Sequence, residues 1–160
     1  MMPHTQPYLV NHSQVSYMDI HVFREISDAD KELIIQHLKL HNTPFLNRQR
    51  WGELFILARD ENEAIVGGLI AEQEEDWIFI KYLWVEEQYR HQQLGTQLLH
   101  QLEQAAKELK CTHMMVETFS FQAKPFYERQ GFSVRMTLED CPSKGTHCHY
   151  LTRNIAEVSG

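Results

Sequence analysis

One segment near the middle of the chain combines residue types that bind anions. An apolar run over residues 77–85 leads through a polar turn containing Arg90 and Gly95 into residues with helical periodicity. The first backbone N–H groups of a helix have no partner within it, and the aligned peptide dipoles leave partial positive charge there. Arg90 adds a full charge and several donors. The segment therefore predicts a strand, a turn and a helix whose start binds a phosphate or pyrophosphate.

The helix after this turn is indicated by apolar residues three and four positions apart, which share one face. That face needs a sheet to cover it. Many helices begin beside a glycine without binding anything, so a plain helix start stays open as the alternative for this segment alone. The apolar positions are Leu94, Leu98, Leu99, Leu102, Ala105, Ala106 and Leu109.

The turn resembles the coenzyme-A-binding motif of the GCN5-related N-acetyltransferase (GNAT) family, Gln/Arg-x-x-Gly-x-Gly/Ala. Arg90, Leu94 and Gly95 stand in register with that motif. Gln93 departs from it, because the family usually has its first glycine there. A side chain at this position restricts how closely the backbone approaches a pyrophosphate, since glycine tolerates geometries that other residues do not.

A second segment, residues 121–132, is similar to a later motif of the same family, in which a polar residue and Ala precede a short helix ending in Tyr-Glu-x-x-Gly-Phe. Gln122 stands where the family usually has Asn, and Tyr127 is the tyrosine of the motif. Gly131 is suited to close the helix as a left-handed C-cap before a new strand. A core aromatic cluster is the alternative interpretation, and we hold it for Phe132.

The resemblance implies an α/β (α+β) GNAT-like acyl-CoA N-acyltransferase fold, with a mixed, mostly antiparallel sheet of six to seven strands flanked by helices. It also implies acetyl-CoA as acetyl donor. The strand ends 83–85 and 115–117 would move apart to admit the pantetheine arm, whose amides would pair with backbone groups of Leu83 and Val85. The implied cofactor-binding residues are Leu83, Trp84, Val85, Arg90, His91, Gln92, Gln93, Leu94, Gly95, Thr96, Gln122 and Phe126.

Acetyl transfer to an amine requires a neutral nucleophile, stabilisation of the oxyanion and a proton for the departing thiolate. The resemblance makes Tyr127 the proton donor and the Val85 amide the group that polarises the thioester carbonyl. Glu117 is the candidate base, because it follows the strand that moves apart. A solvated or structural carboxylate is the open alternative for Glu117.

Alternation and turn residues predict the remaining elements. Residues 1–17 lack periodicity and are predicted to be an arm preceding a single N-acetyltransferase domain over 18–156. A first strand is predicted over residues 17–24, and a helix entered at Ser27 follows. The predicted later strands are 54–59, 64–72, 77–85, 113–118, 132–138 and 147–154, with helices at 94–109 and 121–130.

Composition narrows the function classes. The net charge of −7 disfavours a nucleic-acid partner, whose phosphates require clustered Lys and Arg. A cationic acceptor fits better, and residues 72–76 carry four carboxylates that could attract one, although a solvated hairpin turn is the alternative. No apolar run reaches the length of a membrane span and no secretory signal is recognised, so a cytoplasmic location without membrane association is expected. Three cysteines are too few for a disulfide framework.

Ten histidines raise the question of a metal site. His147 and His149 share a strand face, which Cys148 does not, and His37 and His41 share a helix face. Two ligands are too few for a closed zinc site, so no metal is expected.

The sequence thus predicts an acetyl-CoA-dependent N-acetyltransferase whose acceptor is the primary amine of a small molecule, which we expect to be cationic. The alternatives are a non-catalytic acyl-CoA-binding or sensing module and a protein N-acetyltransferase. A homodimer is left open.

Overall fold

The computed structural model describes residues 18–156, which fall into two compact units, residues 18–41 and residues 42–156. Helix α1 (Asp28–Asn42) begins in the first unit where predicted, because the Ser27 hydroxyl accepts a hydrogen bond from the Asp30 amide at 3.1 Å. The predicted arm, residues 1–17, lies outside the described residues. The single domain predicted over residues 18–156 stays a prediction.

The predicted first strand is wrong over residues 18–24, which form neither strand nor helix. Alternating apolar residues define one face of a possible strand. A strand also needs a neighbouring strand as hydrogen-bond partner, and the alternation does not specify one. Tyr17, the first residue of that prediction, lies outside the described residues.

The second unit is built on one sheet of six strands in the order β1-β2-β3-β4-β6-β5. Only β3 and β4 pair in parallel, so the predicted mixed, mostly antiparallel sheet is confirmed with six strands. Short turns make β1–β3 an antiparallel meander, whereas the longer connection through a helix permits the parallel pair. The strands are β1 (Trp51–Arg59), β2 (Ile65–Glu74), β3 (Trp77–Val85), β4 (His113–Phe119), β5 (Ser133–Glu139) and β6 (His147–Asn154).

Helix α2 (Leu94–Glu108) connects β3 to β4 and buries its apolar stripe on one face of the sheet. Leu99 and Leu102 are almost fully buried, and Met114 and Leu151 belong to the same core. The predicted helical face is therefore confirmed except at Leu109, which follows the last helical residue and is exposed.

Helix α3 (Lys124–Arg129) is shorter than the predicted 121–130 and contributes Tyr127 to the same core. Gly131 follows at φ +86°, the left-handed conformation predicted for a C-cap, and its amide donates to the Glu128 carbonyl at 3.0 Å.

No helix of residues 18–156 combines the length and apolar character that crossing a bilayer would demand.

The parallel pair β3–β4 is hydrogen-bonded over only part of its length. Its register runs from Trp77 opposite His113 to Ile80 opposite Val116 and then stops. An irregularity in the β2–β3 register places Lys81 as an extra residue at this point. Residues 81–85 and 117–119 therefore border a gap in the sheet.

The predicted separation of the two strands is present, but it begins later on β4 than predicted. Met115 and Val116 still pair with β3, and only Glu117 of the predicted three residues lies beyond the pairing.

Candidate active site

A cleft of about 900 Å³ lies where the end of β3, the following turn, the start of α2 and helix α3 meet. The structure brings eleven of the twelve predicted cofactor residues to its wall. Gln92 is the exception, and its side-chain amide donates to the Gln88 carbonyl at 2.9 Å. The eleven are Leu83, Trp84, Val85, Arg90, His91, Gln93, Leu94, Gly95, Thr96, Gln122 and Phe126.

The turn brings the start of α2 to the cleft. Leu94, Gly95 and Thr96 form the first turn of the helix and line the wall. Amides in a first helical turn lack acceptors within the helix, and the helix dipole adds positive potential there. This part of the cleft is therefore suited to an anion.

Gln93 adopts the left-handed backbone conformation, with φ 65° and ψ 13°, immediately before α2. Residues with a Cβ pay roughly 1–2 kcal/mol to adopt it, whereas glycine does not. The backbone at this position thus has the geometry that favours the glycine of the GNAT motif, although the chain carries glutamine.

We expect Gln93→Gly to stabilise the protein by about 1 kcal/mol, because it removes the strain of the left-handed conformation. This gain in free energy is larger than the loss caused by the greater conformational entropy of glycine in the unfolded chain. We also expect coenzyme A to bind as tightly or more tightly. Urea unfolding and calorimetry measure the two effects. Gln93→Ala is the matched control, since it shortens the side chain but keeps the Cβ; equal gains from both variants would contradict a backbone origin.

Arg90 lines the cleft, and its Nε donates to the Val85 carbonyl at 3.0 Å. The backbone groups of Val85 were predicted to be free for a ligand, and for its carbonyl this is wrong. An unpaired strand carbonyl beside a guanidinium takes the nearest donor. The guanidinium has five N–H donors, and this hydrogen bond uses one of them.

The Gln122 side chain joins the end of β4 to the start of α3. Its Oε1 accepts hydrogen bonds from the Phe119 amide at 2.8 Å and from the Thr118 hydroxyl at 3.4 Å. The Ala123 amide also donates to the Thr118 hydroxyl, at 3.2 Å. This residue therefore holds the turn that precedes α3 while it lines the cleft.

Tyr127 packs beneath the cleft wall rather than on it. Its ring meets Phe126, which lines the cleft, edge to face at 5.1 Å between centroids, and Phe132 at 5.6 Å. Burial raises the pKa of Tyr127 to about 12, so the phenol keeps its proton near neutral pH. Phe132 belongs to the core, in agreement with the structural interpretation held for it.

Glu117, the candidate base, is exposed and is not among the residues that line the cleft. It is the first residue of β4 beyond the pairing with β3, and it lies opposite Tyr150 of β6. The two predicted catalytic residues therefore occupy different surroundings: Tyr127 lies in the core beside the cleft, and Glu117 lies at the edge of the gap.

Three of the four acidic residues at the β2–β3 hairpin are engaged in structural contacts. The Glu75 carboxylate accepts from the Asn47 amide at 2.6 Å, and Asp76 pairs with Arg50. Glu72 pairs with Lys81 at 3.1 Å. These contacts favour the hairpin-turn interpretation over acceptor attraction.

The histidine pair His147 and His149 lies on β6, with ring centroids 6.3 Å apart. His149 exchanges a hydrogen bond with the Thr137 hydroxyl at 2.9 Å. Within residues 18–156, no three His, Cys, Asp or Glu side chains come together as metal ligands.

Sequence reasoning missed cleft residues on α3 and in the loops beside it. Arg129 follows Phe126 by three positions, so the helical period already places both on one face. Gln130 connects the end of α3 to the start of α2, because its side-chain amide donates to the Thr96 hydroxyl at 3.1 Å. Tyr89 and Phe121 also line the cleft, and no residue pattern pointed to them.

Comparisons with known proteins agree with this geometry. The sequence model of the acetyltransferase (GNAT) family matches residues 20–132. The blasticidin-S acetyltransferase of Streptomyces morookaense is 30% identical over 117 residues, which are 72% of this chain and 85% of that protein. A crystal structure of an acetyltransferase from Bacillus cereus superposes with a TM-score of 0.74 at 29% identity, covering 84% of this chain and 97% of the other.

The crystal structure of an aminoglycoside 6'-N-acetyltransferase complexed with coenzyme A has the same fold, with a TM-score of 0.61 at 16% identity. The match covers 89% of this chain and 100% of that protein. The predicted fold and the prediction of an acetyl-CoA-dependent N-acetyltransferase are confirmed at the level of the family. This chain belongs to the GNAT acetyltransferase family.

Proposed function

We propose that this protein transfers the acetyl group of acetyl-CoA to the primary amine of a small cationic acceptor. The observation that carries the proposal is the meeting of two features in one cleft: the unpaired end of β3 and the first turn of α2. The first suits an extended chain of amides, and the second suits a pyrophosphate. Coenzyme A contains both groups in series.

The residues of the cleft fit this cofactor. The edge of β3 over residues 83–85 has no pairing to β4 and would take the pantetheine amides, while Leu94, Gly95 and Thr96 would hold the pyrophosphate. Arg90 and Arg129 supply positive charge at the wall. The Val85 carbonyl is already bonded to Arg90, so the pantetheine would pair with the groups of the edge that remain.

Acetyl-CoA supplies an acetyl group activated as a thioester. Of the chain's own groups, the Val85 amide would polarise the reacting carbonyl, and the Tyr127 hydroxyl would protonate the departing sulfur. The Tyr127 hydroxyl is protonated near neutral pH, as a general acid must be, and burial keeps it so by raising its pKa from 10 to about 12. Glu117 would take the proton of the acceptor ammonium.

The net charge of the chain and its similarity to a curated relative support the proposed class of acceptor. The chain carries a net charge of −7, which favours a cation over an anion at long range. Its relative with the 30% identity is named for blasticidin S, a small molecule rather than a protein. A small cationic amine is therefore the acceptor to test first.

A non-catalytic acyl-CoA-binding module is the second candidate, and two observations favour it. Gln93 occupies the left-handed position that suits glycine, and Tyr127 lies off the cleft wall. Such a module would bind acetyl-CoA without turning over an acceptor.

The test is release of free thiol from acetyl-CoA with a panel of acceptors: polyamines, aminoglycosides, blasticidin S, amino acids and basic peptides. Calorimetry with acetyl-CoA alone runs beside it. Acceptor-dependent thiol release by a small cationic amine would support the proposal. Binding without turnover would favour the binding module, turnover of peptides alone would favour a protein N-acetyltransferase, and absence of binding would contradict both the proposal and the module.

A further inference from the structure

Glu117 and Tyr150 are direct partners across the β4–β6 ladder. Directly opposed residues of antiparallel strands point to the same side of the sheet. Their neighbours Val116 and Leu151 are likewise opposed and belong to the core beneath α2. Since successive side chains alternate, Glu117 and Tyr150 face the side of the sheet away from α2.

Across the gap, Trp84 faces the same side. Its partner on β2 is Gly68, whereas Leu83 is opposite Leu69, a fully buried core residue. Trp84 is about half exposed, at 49%, and also lines the cofactor cleft. The gap is thus bordered on this side by an indole from β3 and a carboxylate from β4, the two groups that bind an ammonium.

Side chains of directly opposed residues in an antiparallel pair have Cβ atoms about 5 Å apart, so the register places the Tyr150 phenol beside the Glu117 carboxylate. A hydrogen bond to Glu117 is the largest of the effects that raise the pKa of Tyr150, followed by a hydrogen bond to Cys148 and by burial. The phenol therefore keeps its proton and remains a donor to the carboxylate over the neutral range. Glu117 is exposed, so its free side chain would otherwise sample several rotamers.

We infer that Tyr150 is a positioning residue: its hydroxyl holds the Glu117 carboxylate at the edge of the gap, where that carboxylate binds the acceptor ammonium and accepts its proton. This inference rests on the proposed function. The ammonium loses one proton to Glu117 and becomes a neutral amine. The neutral amine then attacks the thioester carbonyl, and the C–N bond forms as the C–S bond breaks. The departing thiolate takes a proton from the Tyr127 hydroxyl, and the second proton that the nitrogen loses on becoming an amide restores that hydroxyl.

The test is a double-mutant cycle on kcat/KM for the acceptor, with Glu117→Gln, Tyr150→Phe and the combined variant. We expect losses of about 100-fold for Glu117→Gln and about tenfold for Tyr150→Phe, since both act on one general base. The combined variant should lose about 100-fold, the same as Glu117→Gln alone, because the phenol acts only through the carboxylate.

Two further readouts separate positioning from a structural role. The acetyl-CoA Kd and the Tm of Tyr150→Phe should match those of the wild type, with the loss confined to the acceptor-dependent step. Tyr82→Phe is the matched control, because Tyr82 is a phenol on the same face and is 70% exposed; its kcat/KM should be unchanged.

Losses that multiply in the combined variant, or an equal loss for Tyr82→Phe, would overturn the inference while the enzyme remains active. A wild-type protein that binds acetyl-CoA and turns over no acceptor would overturn the proposed function, and this inference with it.

Discussion

Tyr127→Phe is expected to lower kcat for acetyl transfer by about 100- to 1,000-fold, the usual contribution of a general acid. The variant keeps the ring that packs against Phe126 and Phe132 and removes only the hydroxyl. The hydroxyl is protonated throughout the neutral range, where burial raises its pKa further, to about 12, and it would supply its proton to the departing sulfur. Steady-state thiol release against a turned-over acceptor measures the loss.

The control for this variant is its own folding and cofactor binding. We expect the acetyl-CoA Kd within about twofold of the wild type and a stability change within about 1 kcal/mol, since the apolar contacts remain. A kcat close to that of the wild type would assign Tyr127 to the core alone, which its packing beneath the cleft wall also permits.

Gly95→Asp is expected to weaken binding of coenzyme A by about 100-fold or more while leaving the fold intact. A Cβ at this position would lie 3.5 Å from Phe126 and 3.9 Å from Val85, at ordinary contact distances, so the backbone accepts a side chain. Aspartate in the first turn is favourable for a helix because it complements the dipole. The same charge opposes a pyrophosphate, and charges about 4 Å apart repel by ~4 kcal/mol near a protein surface.

Two matched variants separate charge from bulk. Gly95→Ala adds only the Cβ, and alanine also occurs in the family motif, so it should bind coenzyme A within a few-fold of the wild type. Gly95→Asn has nearly the shape of aspartate without its charge and should lose much less affinity than Gly95→Asp. Calorimetry with coenzyme A and thermal unfolding are the measurements; equal losses for aspartate and asparagine would show that the anion does not lie at the start of α2.

Sequence patterns predicted best the strands and helices that have a clear periodicity and whose packing partners are near in the chain. Strands Trp77–Val85 and His147–Asn154 have the predicted bounds, and α2 begins at the predicted Leu94. Short turns bring the partners of the β1–β3 meander together, and the α2 stripe is long enough to specify its period. The strand predicted over residues 17–24 had alternation but no neighbour that its sequence specified.

The proposed anion site also follows largely from the sequence, because its residues are contiguous. Residues 90–96 form one turn and the first turn of a helix, so their order along the chain already places them at one wall of the cleft. The motif has a glycine at the position where Gln93 adopts the left-handed backbone conformation, which the structure alone revealed.

Tertiary structure alone decided which groups far apart in sequence meet. The β4–β6 register places Glu117 opposite Tyr150, and the end of the β3–β4 pairing at Ile80 sets where the gap begins. Packing placed Tyr127 beneath the cleft wall rather than on it. Register and packing depend on how all strands and helices fit together, whereas a sequence motif records only local order. The sequence by itself therefore determined the family and the cofactor end of the proposed site, and the tertiary structure decided the surroundings of the proposed catalytic residues.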